Sequence, residues 1–172
     1  MTQTTSMSSG HARISYPGEL GLPPVGVSFE VPEGWSTAPV PGALAATREA
    51  EAGPNGFWAN IVTSIDRVGP ATSLDKIARE LLSGAQATAT SITLDEERIV
   101  EVSGVPAIVR EQTMTTERAP FDLVQLSLVL LVDVGGGLGR DCVQITGSIE
   151  APRRDLLVTV FDHLVATISL DV

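Results

Sequence analysis

The stretch Phe29-Glu30-Val31-Pro32-Glu33-Gly34-Trp35 decides how this chain is read. It is the end of an alternating strand, then a Pro-Glu-Gly turn, then an aromatic anchor. Upstream, Val25, Val27, Phe29 and Val31 fall on one face of an extended segment, the pattern of a half-buried strand. Downstream the pattern stays β-rich. The stretch carries no chemistry; it sets the register of an architecture.

Phe57 to Val68 reads as a strand with Ala59, Ile61, Thr63 and Ile65 on one face and Trp58, Asn60, Val62 and Ser64 on the other. Ala43 to Ala50 reads as a strand, with a short helix as the alternative, and Pro32 to Pro41 as a turn-rich connection. A helix is expected over 73–86, because Leu74, Ile77, Ala78, Leu81, Leu82 and Ala85 recur at helical spacing. Thr72, three residues before Asp75, is the expected cap. Ile92–Val102 and Val105–Thr116 form a hairpin across Ser103-Gly104. Phe121 to Asp133 is apolar on both faces, which predicts a central strand covered on both sides. The glycine run at 135–139 leads to a strand over Asp141–Ile149. Pro152 opens a second helix with a stripe of Leu156, Leu157, Val160, Phe161, Leu164 and Val165. Ile168–Val172 closes as a short strand. Few helices and hairpin-linked strands predict an α+β fold: one antiparallel sheet flanked by helices. Residues 1–10 are polar and small and read as a disordered tail, residues 11–16 as a short edge strand and Gly18–Pro24 as a loop. A single α+β domain is expected over 11–172.

Composition excludes more than it identifies. The net charge is −10, and the cations are ten Arg and one Lys, Lys76. Nucleic-acid binding needs clustered cations to displace counterions, and pairs such as Arg153-Arg154 are isolated. The same acidity opposes docking on anionic lipid. The N-terminus, Met-Thr-Gln-Thr-Thr-Ser-Met-Ser-Ser-Gly, has neither a basic start nor an apolar run, and no 18-residue apolar run occurs elsewhere. The expectation is a cytoplasmic protein without membrane insertion. Charged residues make up 19% of the chain, below the usual level of about 25%. That composition hints at a face buried by a partner, though a bias toward small residues in the source organism is the plainer explanation.

The inventory for catalysis is thin. The glycine run ends on Arg140 and is followed by a strand, so it is a hairpin loop rather than a phosphate cradle. His11 and His163 are far apart, and Cys142, the only cysteine, falls inside a strand pattern as an inert buried thiol. Two His and one Cys are too few for a zinc site. Asp95-Glu96-Glu97 lies in a strand, where neighbours point to opposite faces, and reads as a solvated hairpin. No catalytic residue, metal or cofactor is expected. Trp35 and Trp58 are the residues most open to a binding role, since aromatics total only 4% of the chain. Core packing is the alternative for each. Asn60 shares a face with Trp58 and would supply a polar contact.

Phe29–Trp35, Pro41-Gly42-Ala43, Ala59–Arg67, the helix over 73–86 and Ser103–Ala107, in that order, resemble the actinobacterial LpqN/LpqT lipoprotein group. That group is similar in fold to the photosystem protein PsbP and the Ran-binding Mog protein. The resemblance spans about residues 25–170 and implies an α/β/α sandwich without catalytic activity that binds proteins or lipidic ligands. The lipoproteins carry a signal and a lipidated cysteine; the N-terminal stretch here shows neither, so surface anchoring is not carried over. Cytoplasmic members of the fold resemble secretion chaperones that shield apolar segments of a cargo. The expectation is therefore a non-catalytic binding module, an adaptor or secretion-related chaperone acting on a protein partner or on itself as a homodimer. The alternative is a carrier of a small apolar or lipidic ligand, with its pocket near Trp58.

Overall fold

A computed structural model describes residues 24–135, 137 and 139–171. The expected tail over 1–10, the edge strand over 11–16 and His11 lie outside them. Nine strands and two helices follow in chain order: β1 (Gly26–Ser28), β2 (Ser36–Thr37), β3 (Ala45–Arg48), β4 (Asn60–Val68), α1 (Leu74–Thr88), β5 (Ser91–Val102), β6 (Val105–Thr116), β7 (Ala119–Asp133), β8 (Arg140–Glu150), α2 (Arg154–Thr167) and β9 (Ser169–Asp171).

Seven strands form one antiparallel sheet in the order β2-β3-β4-β8-β7-β6-β5. β1 and β9 pair separately, also antiparallel. Phe121–Asp133 does lie inside the sheet, between β6 and β8. Ser103 and Gly104 take φ of 49° and 77°, the left-handed pair that a tight β5–β6 turn requires.

The sheet has a helix on each face. On one side α2 buries Leu157, Val160, Phe161 and Leu164 against Val109, Leu126, Leu128, Leu130, Val143, Ile145 and Ile61. This is the main core, and Leu128 and Ile145, directly opposed in the register, have no exposed surface. Gly147 makes room for α2: a Cβ there would come within 2.9 Å of the Leu157 side chain. On the other side α1 covers Ile108, Val129 and Cys142 with Ala78, aided by half-buried Leu74, Ile77 and Leu81. The expected antiparallel sheet flanked by helices is thus the architecture found.

Several local expectations need correction. The α1 cap is Ser73, whose Oγ accepts from the Lys76 N–H at 3.3 Å, and not Thr72. The Pro32–Pro41 connection contains the two-residue strand β2, too short to leave a periodic signal. Strand structure in the first segment is confined to 26–28, because only those residues face β9. A single 3-10 turn over Ala151–Arg153 holds Pro152 and precedes α2.

Candidate binding site

The two faces of the sheet are not alike. β4 turns Ile61, Thr63 and Ile65 toward α2, so Asn60, Val62 and Ser64 point toward the α1 side. Following the register from there gives a row of directly opposed residues: Arg48 on β3, Asn60 on β4, Ser148 on β8, Gln125 on β7 and Gln112 on β6. Four strand-to-strand spacings make the row roughly 19 Å long. The next row, Val62, Thr146, Ser127 and Arg110, is also mainly polar.

These side chains hold one another. Gln112 Nε2 donates to Gln125 Oε1 at 2.6 Å, and Gln125 Nε2 donates to Ser148 Oγ at 3.3 Å. A chain of amides bound this way keeps a fixed orientation, because each hydrogen bond limits the rotation of the next group. α1 roofs only part of this face. A cleft of about 380 Å³ lies between its C-terminal half and the polar floor. Leu81, Leu82 and Ala85 form the apolar wall, and Gln112, Gln125, Ser127 and Gln144 the polar one. Only Ala78 of α1 is fully buried, so its apolar stripe is half used by the fold itself.

Arg110 joins the two walls. Its Nη1 donates to the Ala78 carbonyl in α1, and its Nε donates to Glu97 Oε2 at 2.5 Å.

Trp58 and Asn60 both lie on this side. Trp58 is 42% exposed, with the Arg48 guanidinium 5.1 Å from its ring centroid, a cation–π contact. Asn60 Nδ2 donates to the Trp58 carbonyl at 3.0 Å. Trp35 goes to the opposite face, where it packs on the α2 core. There it lines an apolar cavity of about 180 Å³ with Phe29, Val31, Ala45, Thr47 and Ile61. Trp58, near which an apolar pocket is expected from the sequence, does not line this cavity. Gln112, Gln125, Ser127 and Ser148 were not among the sequence candidates. β8 carries a local signal, with Gln144, Thr146 and Ser148 alternating with Val143, Ile145 and Ile149.

Cys142 is buried under α1, and burial, with the Asp66 carboxylate nearby, pushes its thiol up to about 11. His163 is exposed and meets Glu30 Oε2 at 2.9 Å. Among the described residues no group of three or more His, Cys, Asp and Glu side chains is placed to hold a metal. No described helix is long and apolar enough to cross a membrane.

No protein-family model matches the chain, and no curated protein matches it. Solved structures do. LpqN of Mycobacterium tuberculosis, described as involved in cell envelope biogenesis, has a TM-score of 0.72 over 88% of this chain and 87% of its own, at 12% identity. Cyanobacterial PsbP from Synechocystis has a TM-score of 0.58 over 89% of this chain and 96% of its own, at 15% identity. A Pseudomonas aeruginosa protein of unknown function, suggested to be a regulator, has a TM-score of 0.54 at 12% identity, over 74% of this chain and 91% of its own. The chain has an LpqN/PsbP-like fold, as the resemblance implied.

Proposed function

We propose that this protein is a non-catalytic binding module whose occupant is a segment of another protein, held between α1 and the open face of the sheet. The carrying observation is the half-used apolar stripe of α1 above a hydrogen-bonded floor of amides and hydroxyls, in which the Arg110 guanidinium is paired with Glu97. Apolar side chains of a segment gain by reaching Leu81, Leu82 and Ala85, while its peptide groups meet amides that both donate and accept. The cleft is open to solvent, which suits a segment of a chain entering from outside better than an enclosed small molecule. In this reading the protein acts in the cytoplasm as an adaptor or secretion chaperone that shields an apolar stretch of its cargo.

A photo-crosslinking residue at Ser127, on the cleft floor, tests the reading in the native host, with a crosslinker at Leu156 on α2 as the control. Crosslinking of a defined protein from Ser127 and not from Leu156, abolished by Leu82→Glu, is expected. Adducts of small-molecule mass alone would overturn it.

A second reading, a carrier of a small apolar ligand, rests on the cavity beside Trp35. Trp35 fluorescence quenched or shifted by a medium-chain fatty acid, and unchanged in a Thr47→Trp variant that fills the cavity, would support it.

A further inference from the structure

β5 is the outermost strand of the seven-stranded sheet, and Thr93 to Ile99 are all exposed. Its outer N–H and C=O groups have no strand partner among the described residues. A bulge between Leu94 and Glu96 breaks the first part of the edge, so 96–102 is the straight portion. Ile99, at its centre, is 74% exposed. Long edges are usually protected by short length, bulges or charge, and an isoleucine this exposed works against that protection.

Charge decides what the edge accepts. Pairing with a second copy is restricted. Antiparallel two-fold registers centred on Glu97 or Arg98 oppose that residue to its own copy, and the register centred on Ile99 opposes Glu97 to the copy's Glu101. These three set like charges face to face, and the register centred on Val100, which does not, opposes Ile99 to the copy's Glu101 and leaves it without an apolar partner.

The two sides of the edge differ in chemistry. On the α2 side, directly behind β5, lies a small cavity of about 60 Å³ lined by Glu96, Arg98, Glu111, Arg154, Val158 and Asp162. Arg98 reaches Asp162 at 3.1 Å and Glu96 at 3.6 Å, while Arg154 grips Glu111 with two nitrogens. Three carboxylates against two guanidinium groups leave one negative charge over. The volume suffices for an ammonium group, since a single water needs about 10–15 Å³ by the same measure. On the α1 side the same edge presents Ile99, paired in register with Ile108 of the α1 cluster.

We propose that β5 is a docking edge for an extended segment of a partner protein in which basic and apolar residues alternate. The segment adds an eighth strand along 96–102. Its residues facing α2 send a lysine or arginine head into the Glu96–Glu111–Asp162 cavity, and those on the other face cover Ile99. Strand alternation supplies both contacts from one pattern, while backbone hydrogen bonds supply sequence-independent affinity. This edge is separate from the α1 cleft. The proposal draws on the protein-binding reading but not on the occupancy of that cleft.

The test is an amide-resolved NMR titration of the full chain with acetyl-Val-Lys-Val-Lys-Val-Lys-Val-amide. Shifts confined to 96–102 and the residues lining the cavity are expected, with binding weakened by salt. Exchanging Lys for Glu in the peptide, or N-methylating its alternate residues on the edge-facing side, should weaken binding at least tenfold. The surface pair Glu96→Gln with Asp162→Asn should do the same while circular dichroism stays unchanged. Ile99→Asp should weaken binding through the other face. Absence of binding at millimolar peptide, equal binding of the N-methylated or Glu peptides, or shifts on Gln112, Gln125 and Ser148 in place of β5 would each overturn the proposal. The last outcome would leave the cleft reading standing.

Discussion

The carboxylate of Glu150 fills the space that a Cβ on Gly53 would take: the ideal Cβ position lies 2.8 Å from its Cδ. Glu150 has no exposed surface, and its Oε1 accepts from the Asn55 N–H at 2.8 Å and the Phe57 N–H at 3.3 Å. The loop before β4 is thus wrapped around a buried side chain from the end of β8. That wrapping delivers Trp58 and Asn60 to the edge of the open face.

Gly53→Ala is therefore predicted to destabilise the protein. The carboxyl is enclosed, so a Cβ at Gly53 displaces either it or the loop, and either movement breaks its bonds to the Asn55 and Phe57 N–H groups. A cost of about 1–3 kcal/mol follows. A chain of this size loses about 2–4 °C of melting temperature per kcal/mol, so a drop of several degrees in a thermal melt is expected. Weakening of the Arg48–Trp58 contact should appear as a change in tryptophan fluorescence. An unchanged melt would show that the loop is not held by Glu150.

Leu128→Asp is predicted to abolish folding. Leu128 is opposed by Val109 on β6 and Ile145 on β8 and lies under α2 with no exposed surface. An unpaired carboxylate there costs several kcal/mol, a large part of a typical stability of 5–15 kcal/mol. Soluble expression and circular dichroism check this. A soluble variant with a cooperative melt would remove Leu128 from the core.

Leu128 also shows why most of the fold was legible. The strand and helix periods of β4–β8, α1 and α2 are local, and the two-sided apolar run of Phe121–Asp133 announces burial without any partner being known. Asn60, Ser148, Gln125 and Gln112 meet only through the register of four strands, and register is not written in any one of them. The separation of Trp35 from Trp58 has the same origin. Strand parity sets which face each occupies, and the connection between β1 and β3 carries no period from which parity can be counted. β2, with two residues, has no pattern to read.

Stability should fall in acid through Glu49. Hydrogen bonding from Arg153, at 2.6 Å to each carboxylate oxygen, holds its pKa below the usual 4.5, outweighing the opposing effect of burial, with help from the Ala59 N–H. A carboxyl whose folded pKa is depressed stabilises the protein above its unfolded pKa. That contribution is lost as pH falls through the folded value. The window therefore opens near 4.5 and extends downward. Urea midpoints measured across it should decline, and Arg153→Met should flatten that part of the decline. An identical slope in both proteins would assign the acid sensitivity to other groups.

Cys142 should resist a disulfide reagent at pH 8 in the native protein and react at once in denaturant. Its thiol, pushed up to about 11, is almost wholly protonated there, and the thiolate is the reacting form. α1 also covers it. Rapid native labelling would mean that α1 leaves the sheet readily.

The last prediction concerns that same helix. α1 rests on one fully buried residue, Ala78, on half-buried Leu74, Ile77 and Leu81, and on the bond from the Arg110 guanidinium to the Ala78 carbonyl, whereas α2 fully buries four apolar side chains. Local opening follows the number of buried contacts an element must break. Amide exchange should therefore be faster in α1 than in α2. Arg110→Met keeps the aliphatic stem but removes both the tie to α1 and the pair with Glu97. It should quicken exchange across α1 by tenfold or more and speed the labelling of Cys142, while α2 and β7 keep their protection. The physical basis is that a bond from a charged donor contributes about 1.5–3 kcal/mol, and each 1.4 kcal/mol is a factor of ten in the opening equilibrium. Equal protection of the two helices, or a variant whose α1 exchanges no faster, would show that the helix is fixed by its apolar stripe alone.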